Sequence, residues 1–399
     1  MNIFTFSWKN IMARPWQTFL SLLLIMMGVS VISMLLQMNR QLEKNFNKNI
    51  SGINMVIGAK GSPLQLILAS VYHIDNPTGN ISLQEVQKWV TNPVVEKWIP
   101  LSYGDNYKGY RILGTNHLYP GHYEARLAEG KLWENSFEVT LGAIAAQRLN
   151  LGLGDEFQGA HGLVGEVSVH KEKNYKVVGI LQPTGTVVDQ LILTGLNSVW
   201  EIHEHAEDHH AESDSVEEDR EITAVLIKAR NPAMGMMVAR SINDQSSMQA
   251  ALPAIEINRL FGLFAVGIDT LKILAWVIMI ISGISVFVSL YSSLKTRRYD
   301  MAMLRAMGAS PFKLFSFIML EGILLAVLGF ILGILLSRSG LFFLGTVMEA
   351  DYNFDFSGVR FMLEELSLFG FTLLIGIGAA LIPGLQAYFI PLSKELANG

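Results

Sequence analysis

The sequence predicts a membrane protein with four transmembrane helices and one large α+β extracytoplasmic domain between helices 1 and 2. Three observations carry this. Four apolar runs, Thr18 to Met38, Leu271 to Leu294, Phe315 to Leu336 and Leu366 to Ile390, have the roughly 20-residue length that a helix needs to cross a bilayer core. Between the first two runs lies a long stretch of mixed helix and strand signals, with enough chain for a core of its own. Lys and Arg are distributed unevenly around the runs, and that asymmetry sets orientation.

In chain order the expected parts are a cytoplasmic amphipathic entry helix (1–16), the first span (17–38) and the extracytoplasmic domain with helical stalks (39–266). The second span (267–294), a cytoplasmic loop bearing a short helix (295–313) and the third span (314–336) follow. A short extracytoplasmic loop (337–365), the fourth span (366–390) and a cytoplasmic tail (391–399) complete the chain. A cleaved signal peptide is the rival reading of the first run, because Lys9 and Arg14 precede it. The run is longer than a usual signal core and no Ala-x-Ala-like site follows, so it reads as an uncleaved anchor.

Lys295, Arg297, Arg298, Arg305 and Lys313 crowd the loop after the second run, whereas the loop after the third holds Arg338 and Arg360 among Glu349, Asp351, Asp355, Glu364 and Glu365. Both termini are therefore expected in the cytoplasm. From Asn39 to Val266 there are 19 basic and 26 acidic residues, so this segment offers no basic footprint for nucleic acid. With no cysteine in the chain, disulfides, thiolate metal sites and thiol catalysis are excluded.

Within the middle segment, Leu64 to Tyr72 and Ser82 to Val90 read as helices, the second opened by a capping box of Ser82 and Glu85. Tyr107 to Leu113, Glu138 to Leu141, Glu166 to His170, Tyr175 to Leu181 and Thr223 to Ile227 read as strands. Polar residues after Met38 continue the first helix as a stalk, and Pro253 opens a second stalk at a position where a missing N–H is harmless. Gly152 to Asp155 follows a helix at Ala143 to Leu149 and lacks the third glycine and βαβ setting of a dinucleotide site, so it reads as a turn. Gly58, Lys60 and Gly61 only superficially resemble a phosphate loop, since no Gly-Lys-Ser/Thr ending occurs in the chain. No ATP site, Gly-x-Ser-x-Gly elbow or HExxH motif is encoded, and catalysis by this chain is not expected.

The segment Lys295 to Lys313, KTRRYDMAMLRAMGASPFK, combines a basic cluster with a short amphipathic helix. Met303, Leu304 and Met307 fall at helical spacing, Gly308 can end the helix and Pro311 can begin the next. Flexible methionines suit a groove on a partner. The alternative is a membrane-surface helix with Arg297, Arg298 and Arg305 on lipid headgroups.

At Arg297, Arg298, Met301, Leu304, Arg305, Met307, Gly308, Ala309 and Ser310 the chain resembles permease subunits of the FtsX, MacB and lipoprotein-release type of ABC transporter, in which a similar run forms the coupling helix. The span layout, the segment Leu149 to Leu193 and the ending Ile382 to Leu396 resemble the same family. The resemblance implies a bacterial inner-membrane protein that transmits motion from a cytoplasmic ABC ATPase dimer, with ATP and Mg held on that partner. It also implies a second permease copy or paralogue, and a periplasmic or lipoprotein partner is compatible with it. MacB carries its ATPase on the same chain and this sequence does not, so a separate ATPase is expected.

Glu321 is the carboxylate well inside an apolar run and an intramembrane candidate, with an inter-helix hydrogen bond as the plainer role. Asp269 and Lys272 read as an interfacial pair. His203, His205, His209 and His210 lie in EIHEHAEDHHAESDSVEEDRE, where ten carboxylates accompany one arginine, a composition suited to Zn or to a merely solvated loop. His117, His122, His161 and His170 read as ordinary surface or core histidines. Three functions are thus in view: an ATPase-coupled permease for export or extraction of an envelope substrate, a component of divalent-metal transport or sensing, and a non-transporting scaffold or receptor.

Overall fold

The computed structural model describes Ser7, Met12 and residues 15–161, 168–169, 174–207, 220–351 and 361–391. Most of the expected entry helix and tail, with His170, His209 and His210, lie outside these residues. The chain divides into two units, Met1–Leu42 with Phe264–Gly399, and Glu43–Leu263.

The main elements are α1 (Pro15–Ile50), β1 (Met55–Ala59), α2 (Pro63–Ser70), α3 (Leu83–Val90), β2 (Val95–Tyr107), β3 (Tyr110–Thr115), β4 (Leu127–Gly130), β5 (Glu138–Leu141) and α4 (Ala143–Leu149). They continue with β6 (Tyr175–Leu181), β7 (Ile192–Gly195), α5 (Leu196–Glu207), β8 (Ala224–Ala229), α6 (Pro232–Gln245) and β9 (Met248–Ala251). The last are α7 (Pro253–Thr296), α8 (Arg298–Ala306), α9 (Pro311–Asp351) and α10 (Leu363–Tyr388). Helices α1, α7, α9 and α10 are long and apolar enough to cross a membrane.

The head unit is a mixed sheet in the order β9-β1-β8-β2-β3-β7-β5-β6-β4, with three two-residue strands off this path. β3 with β7 and β5 with β6 are parallel, and the other neighbours are antiparallel. Ile57, Leu101, Leu113, Leu193 and Val225 have no exposed surface. Each such side chain contributes about 1.5–3 kcal/mol by leaving water. Phe46 and Ile50 of α1, with Leu260 and Phe261 of α7, pack on this core, so both helices enter the head as structural members. Lys48, in the last turn of α1, donates to the carbonyls of Thr184 at 2.7 Å and Gly185 at 3.1 Å.

Two local expectations need correction. Tyr107 to Leu113 is not one strand but the turn of a hairpin. Lys108 (φ 48°) and Gly109 (φ 87°) form its two-residue loop, both with the positive φ that a primed turn requires. The Ser82–Glu85 capping box does not form. Ser82 makes no side-chain cap because it pairs with Glu221 as a short strand, and Glu85 accepts from Ser247 Oγ at 2.8 Å.

His73 sits at the centre of the head's buried polar network with left-handed backbone (φ 56°). Its Nδ1 lies 2.6 Å from Tyr103 Oη and its Nε2 2.7 Å from Tyr119 Oη. Tyr103 gives its one hydroxyl proton to the Ala69 carbonyl, so Nδ1 donates to Tyr103. Burial, with the Arg111 charge second, lowers the His73 pKa from 6.5 to about 3. Burial also lowers His122.

A base with a lowered folded pKa favours folding fully above its unfolded pKa, and that stability drains away as pH falls toward the folded value. For His73 this begins below about 6.5 and continues toward about 3. Through His73, the head's folding equilibrium should fall by up to about tenfold per pH unit across this interval. Thermal unfolding of His73→Gln at two pH values in it should show a shallower pH dependence than the parent.

Candidate functional site

The membrane unit closes around α9, whose glycines admit its neighbours. A Cβ at Gly322 would meet the Gly376 carbonyl oxygen and Ala380 Cβ of α10 at 2.7 Å, and one at Gly333 would meet Val29 Cβ of α1 at 2.7 Å. Small residues allow this approach where apolar burial gives helices little drive to associate.

Glu365, with no exposed surface, lies at the start of α10. Its Oε1 accepts from Ser33 Oγ at 2.8 Å and Gln37 Nε2 at 3.3 Å, both on α1. Arg338 of α9 places one guanidinium nitrogen 2.8 Å from each carboxylate oxygen. Oε2 also accepts the Met362 N–H at 3.1 Å, capping its own helix. Ser337 Oγ completes the cluster by donating to Ser33 Oγ at 3.1 Å. Arg40 and Glu364, 3.4 Å apart and exposed, form a weaker second pair beside it.

This cluster was not legible in the sequence. Ser337 and Arg338 end the third apolar run, so residues 337–365 read as a loop. In the structure α9 continues to Asp351, because Arg338 pairs with Glu365 and Ser337 with Ser33. Glu321 is buried at 6% exposure on α9. Asp269 and Lys272 pair at 3.0 Å.

At the other end of α9 lies the loop helix α8. Its C-terminus closes with Met307 N–H on the Met303 carbonyl, Gly308 N–H on that of Arg305 and Ala309 N–H on that of Leu304, with Gly308 at φ 98°. Ser310 then caps α9, its carbonyl and Oγ both taking the Lys313 N–H. Met301 and Ala302 are buried, and Leu304 packs partly into the same membrane-unit core. Arg305 Nη1 donates to the Ile390 carbonyl at 2.6 Å, tying the loop to the end of α10. Arg297 and Arg298 are half-buried, and Ala309 is intermediate.

The outward face carries Tyr299, Met303 and Met307, with Phe312 just beyond; Met307 and Phe312 are 68% and 67% exposed. The sequence placed Met303, Leu304 and Met307 together, whereas the helix separates Leu304 toward the core. Tyr299 and Phe312 were missed because neither belongs to the spacing that singled out the methionines.

His203 and His205 belong to α5. Among the described residues, no three metal-ligating side chains of His, Cys, Asp or Glu stand together.

The MacB-like periplasmic core domain family matches residues 18–256, more than half of the chain, and the FtsX-like permease C-terminal family matches residues 272–392. The chain belongs to the MacB/FtsX-like ABC transporter permeases. It is a multi-pass membrane protein whose mixed α/β head is the extracytoplasmic domain of that family. Among solved structures it is similar to the periplasmic region of MacB from Actinobacillus actinomycetemcomitans, at 12% identity over 54% of this chain and 97% of that one, TM-score 0.35. It is also similar to the extracellular domain of the noncanonic ABC-type transporter YknZ from Gram-positive bacteria, at 12% identity over 49% and 99%, TM-score 0.32. Comparison with curated proteins gave no match.

Removing one member of a buried ion pair costs about 3–5 kcal/mol, because the other is left charged without its partner. Arg338→Met should therefore lower the thermal midpoint of the membrane unit, and Arg338→Met with Glu365→Leu should recover part of the loss. Differential scanning calorimetry in lipid reads both.

Proposed function

We propose that this permease is the subunit through which a separate cytoplasmic ATPase moves the extracytoplasmic domain, for export or extraction of an envelope substrate. The observation that carries the proposal is the outward apolar face of α8. Tyr299, Met303, Met307 and Phe312 present flexible and aromatic side chains to a partner. Arg305, Met301 and Ala302 fix the opposite side to the membrane unit, so a force applied to the face reaches the spans instead of bending a loop.

In this reading the loop and both termini are cytoplasmic, in the inner membrane of a bacterium. ATP and Mg are held by the partner. An ATPase dimer presents two grooves and each permease offers one helix, so a second copy or a paralogue completes the assembly. A periplasmic or lipoprotein partner would meet the head.

The test follows from which side chains face out. Leu304→Asp would strike the core, whereas Met303→Asp and Met307→Asp leave it intact. Each of the latter should reduce copurification with the ATPase by at least about tenfold, the effect of about 1.4 kcal/mol, with the thermal midpoint unchanged. Undiminished capture of the ATPase by Met303→Asp/Met307→Asp would overturn the docking. Hydrolysis indifferent to the permease in reconstituted membranes would instead support a scaffold.

The density of histidine and carboxylate at His203, His205, His209 and His210 favours a second reading, in which this stretch takes a divalent ion such as Zn outside the membrane. Deleting His203 to Glu221 should abolish zinc uptake from solution by the purified protein. Equal zinc binding with and without the stretch removes this reading.

A further inference from the structure

The head contains a cleft that the coupling function does not use. β3 and β7 run parallel and finish side by side, with Thr115 opposite Gly195, and α5 begins on the next residue, Leu196. Crevices beyond the carboxyl ends of parallel strands are common ligand sites, and first-turn N–H groups have no acceptor within their own helix. The turn at 133–136 closes the other side, leaving about 250 Å³ bounded by Thr115, Trp133, Glu134, Asn135, Asn197 and Trp200, among others.

Trp133 turns this placement into a site. It is only 4% exposed, and its carbonyl accepts from His117 Nε2 at 2.7 Å. Its indole N–H, however, donates to nothing among the described residues. The edge bearing that N–H faces Gly195, where a Cβ would stand 3.4 Å from Cδ1 and 3.5 Å from Nε1. With no side chain there, the donor stays open to the cleft. An indole N–H normally has an acceptor, and this one, reachable from the cleft, is placed to donate to an acceptor atom of a ligand.

The walls are already fixed. Glu138 accepts the N–H groups of Glu134 at 2.8 Å and Asn135 at 3.1 Å, and the Asn135 side-chain amide at 3.0 Å. Trp200 donates its own Nε1–H to the Glu221 carbonyl at 2.6 Å, and the Arg220 guanidinium lies 4.8 Å from its ring centroid. Ser136 donates to Glu201, and Lys131 pairs with Glu134.

The charges select against an anion. Glu134, Glu138 and Glu201 stand around the cleft, while Lys131 and Arg220 are already engaged with Glu134 and Trp200. The donor at the base suits an oxygen acceptor, and the rim amides and carboxylate suit hydroxyl groups. We propose that this cleft binds one neutral, hydroxyl-rich ring of hexose size, with a ligand oxygen accepting from the Trp133 indole N–H. The inference is independent of ATPase coupling.

The test uses the full-length protein in lipid nanodiscs free of glycoside detergent, with glucose, N-acetylglucosamine and glucuronate as probes, followed by ligand-observed NMR. A neutral sugar should bind saturably in the millimolar range, and glucuronate at least about tenfold more weakly. Trp133→Phe, which keeps the ring and removes the donor, should weaken the neutral sugar by about tenfold. Should that variant fail to fold, Gly195→Ala, whose methyl group covers the indole edge, should abolish binding. No saturable response to either neutral sugar, unchanged affinity in Trp133→Phe or Gly195→Ala, or glucuronate binding as tightly as glucose would overturn the proposal.

Discussion

A carboxylate with no exposed surface inside a helix bundle is tolerable only when donors meet it from several sides. Glu365 satisfies that condition by drawing α1, α9 and its own helix to one place. The rest of the membrane unit is arranged so that this is possible. Glycines at 322, 333 and 376 let the backbones approach, and Ser33, Gln37 and Arg338 project from neighbouring helices at matching heights. At the opposite end of α9 a second polar tie, Arg305 to the Ile390 carbonyl, holds the loop helix to α10. Spans α1, α9 and α10 are thus tied at the Glu365 end, and the loop helix is held to the end of α10 at the other.

The same logic shapes the head. Phe46, Ile50, Leu260 and Phe261 make the ends of α1 and α7 part of its core, and Lys48 grips the carbonyls at Thr184 and Gly185. A movement of α1 or α7 would therefore be received by packed side chains and a hydrogen-bonded loop. In the proposed function, ATP-driven force enters at α8, passes through the tied spans and emerges as displacement of these helix ends.

How much of this the sequence revealed depended on whether the deciding signal was local. Hydropathy located the four spans, and the strands Glu138–Leu141 and Tyr175–Leu181 stood out by their β-forming residues. The loop helix and its Gly308 stop were legible because both are properties of adjacent residues. Glu365 was not, since its meaning lies in Ser33 and Arg338, hundreds and tens of residues away in the chain. Arg338 even misled, because an arginine that lowers hydropathy looks like the end of a span until its partner is seen. Ser82 and Glu85 show the converse, where a correct local motif lost to pairing with Glu221 and Ser247. The cleft at Trp133 depends on the meeting of Gly195 with a turn some sixty residues earlier.

The absence of cysteine from the chain makes the central claim accessible to a single introduced thiol. Met307→Cys, labelled with a membrane-impermeant maleimide in sealed vesicles of either orientation, tests location and docking together. The account predicts labelling only when the cytoplasmic side faces outward, and protection of that thiol when the partner ATPase is bound. Labelling from the extracytoplasmic side, or labelling unaffected by a bound ATPase, would contradict it.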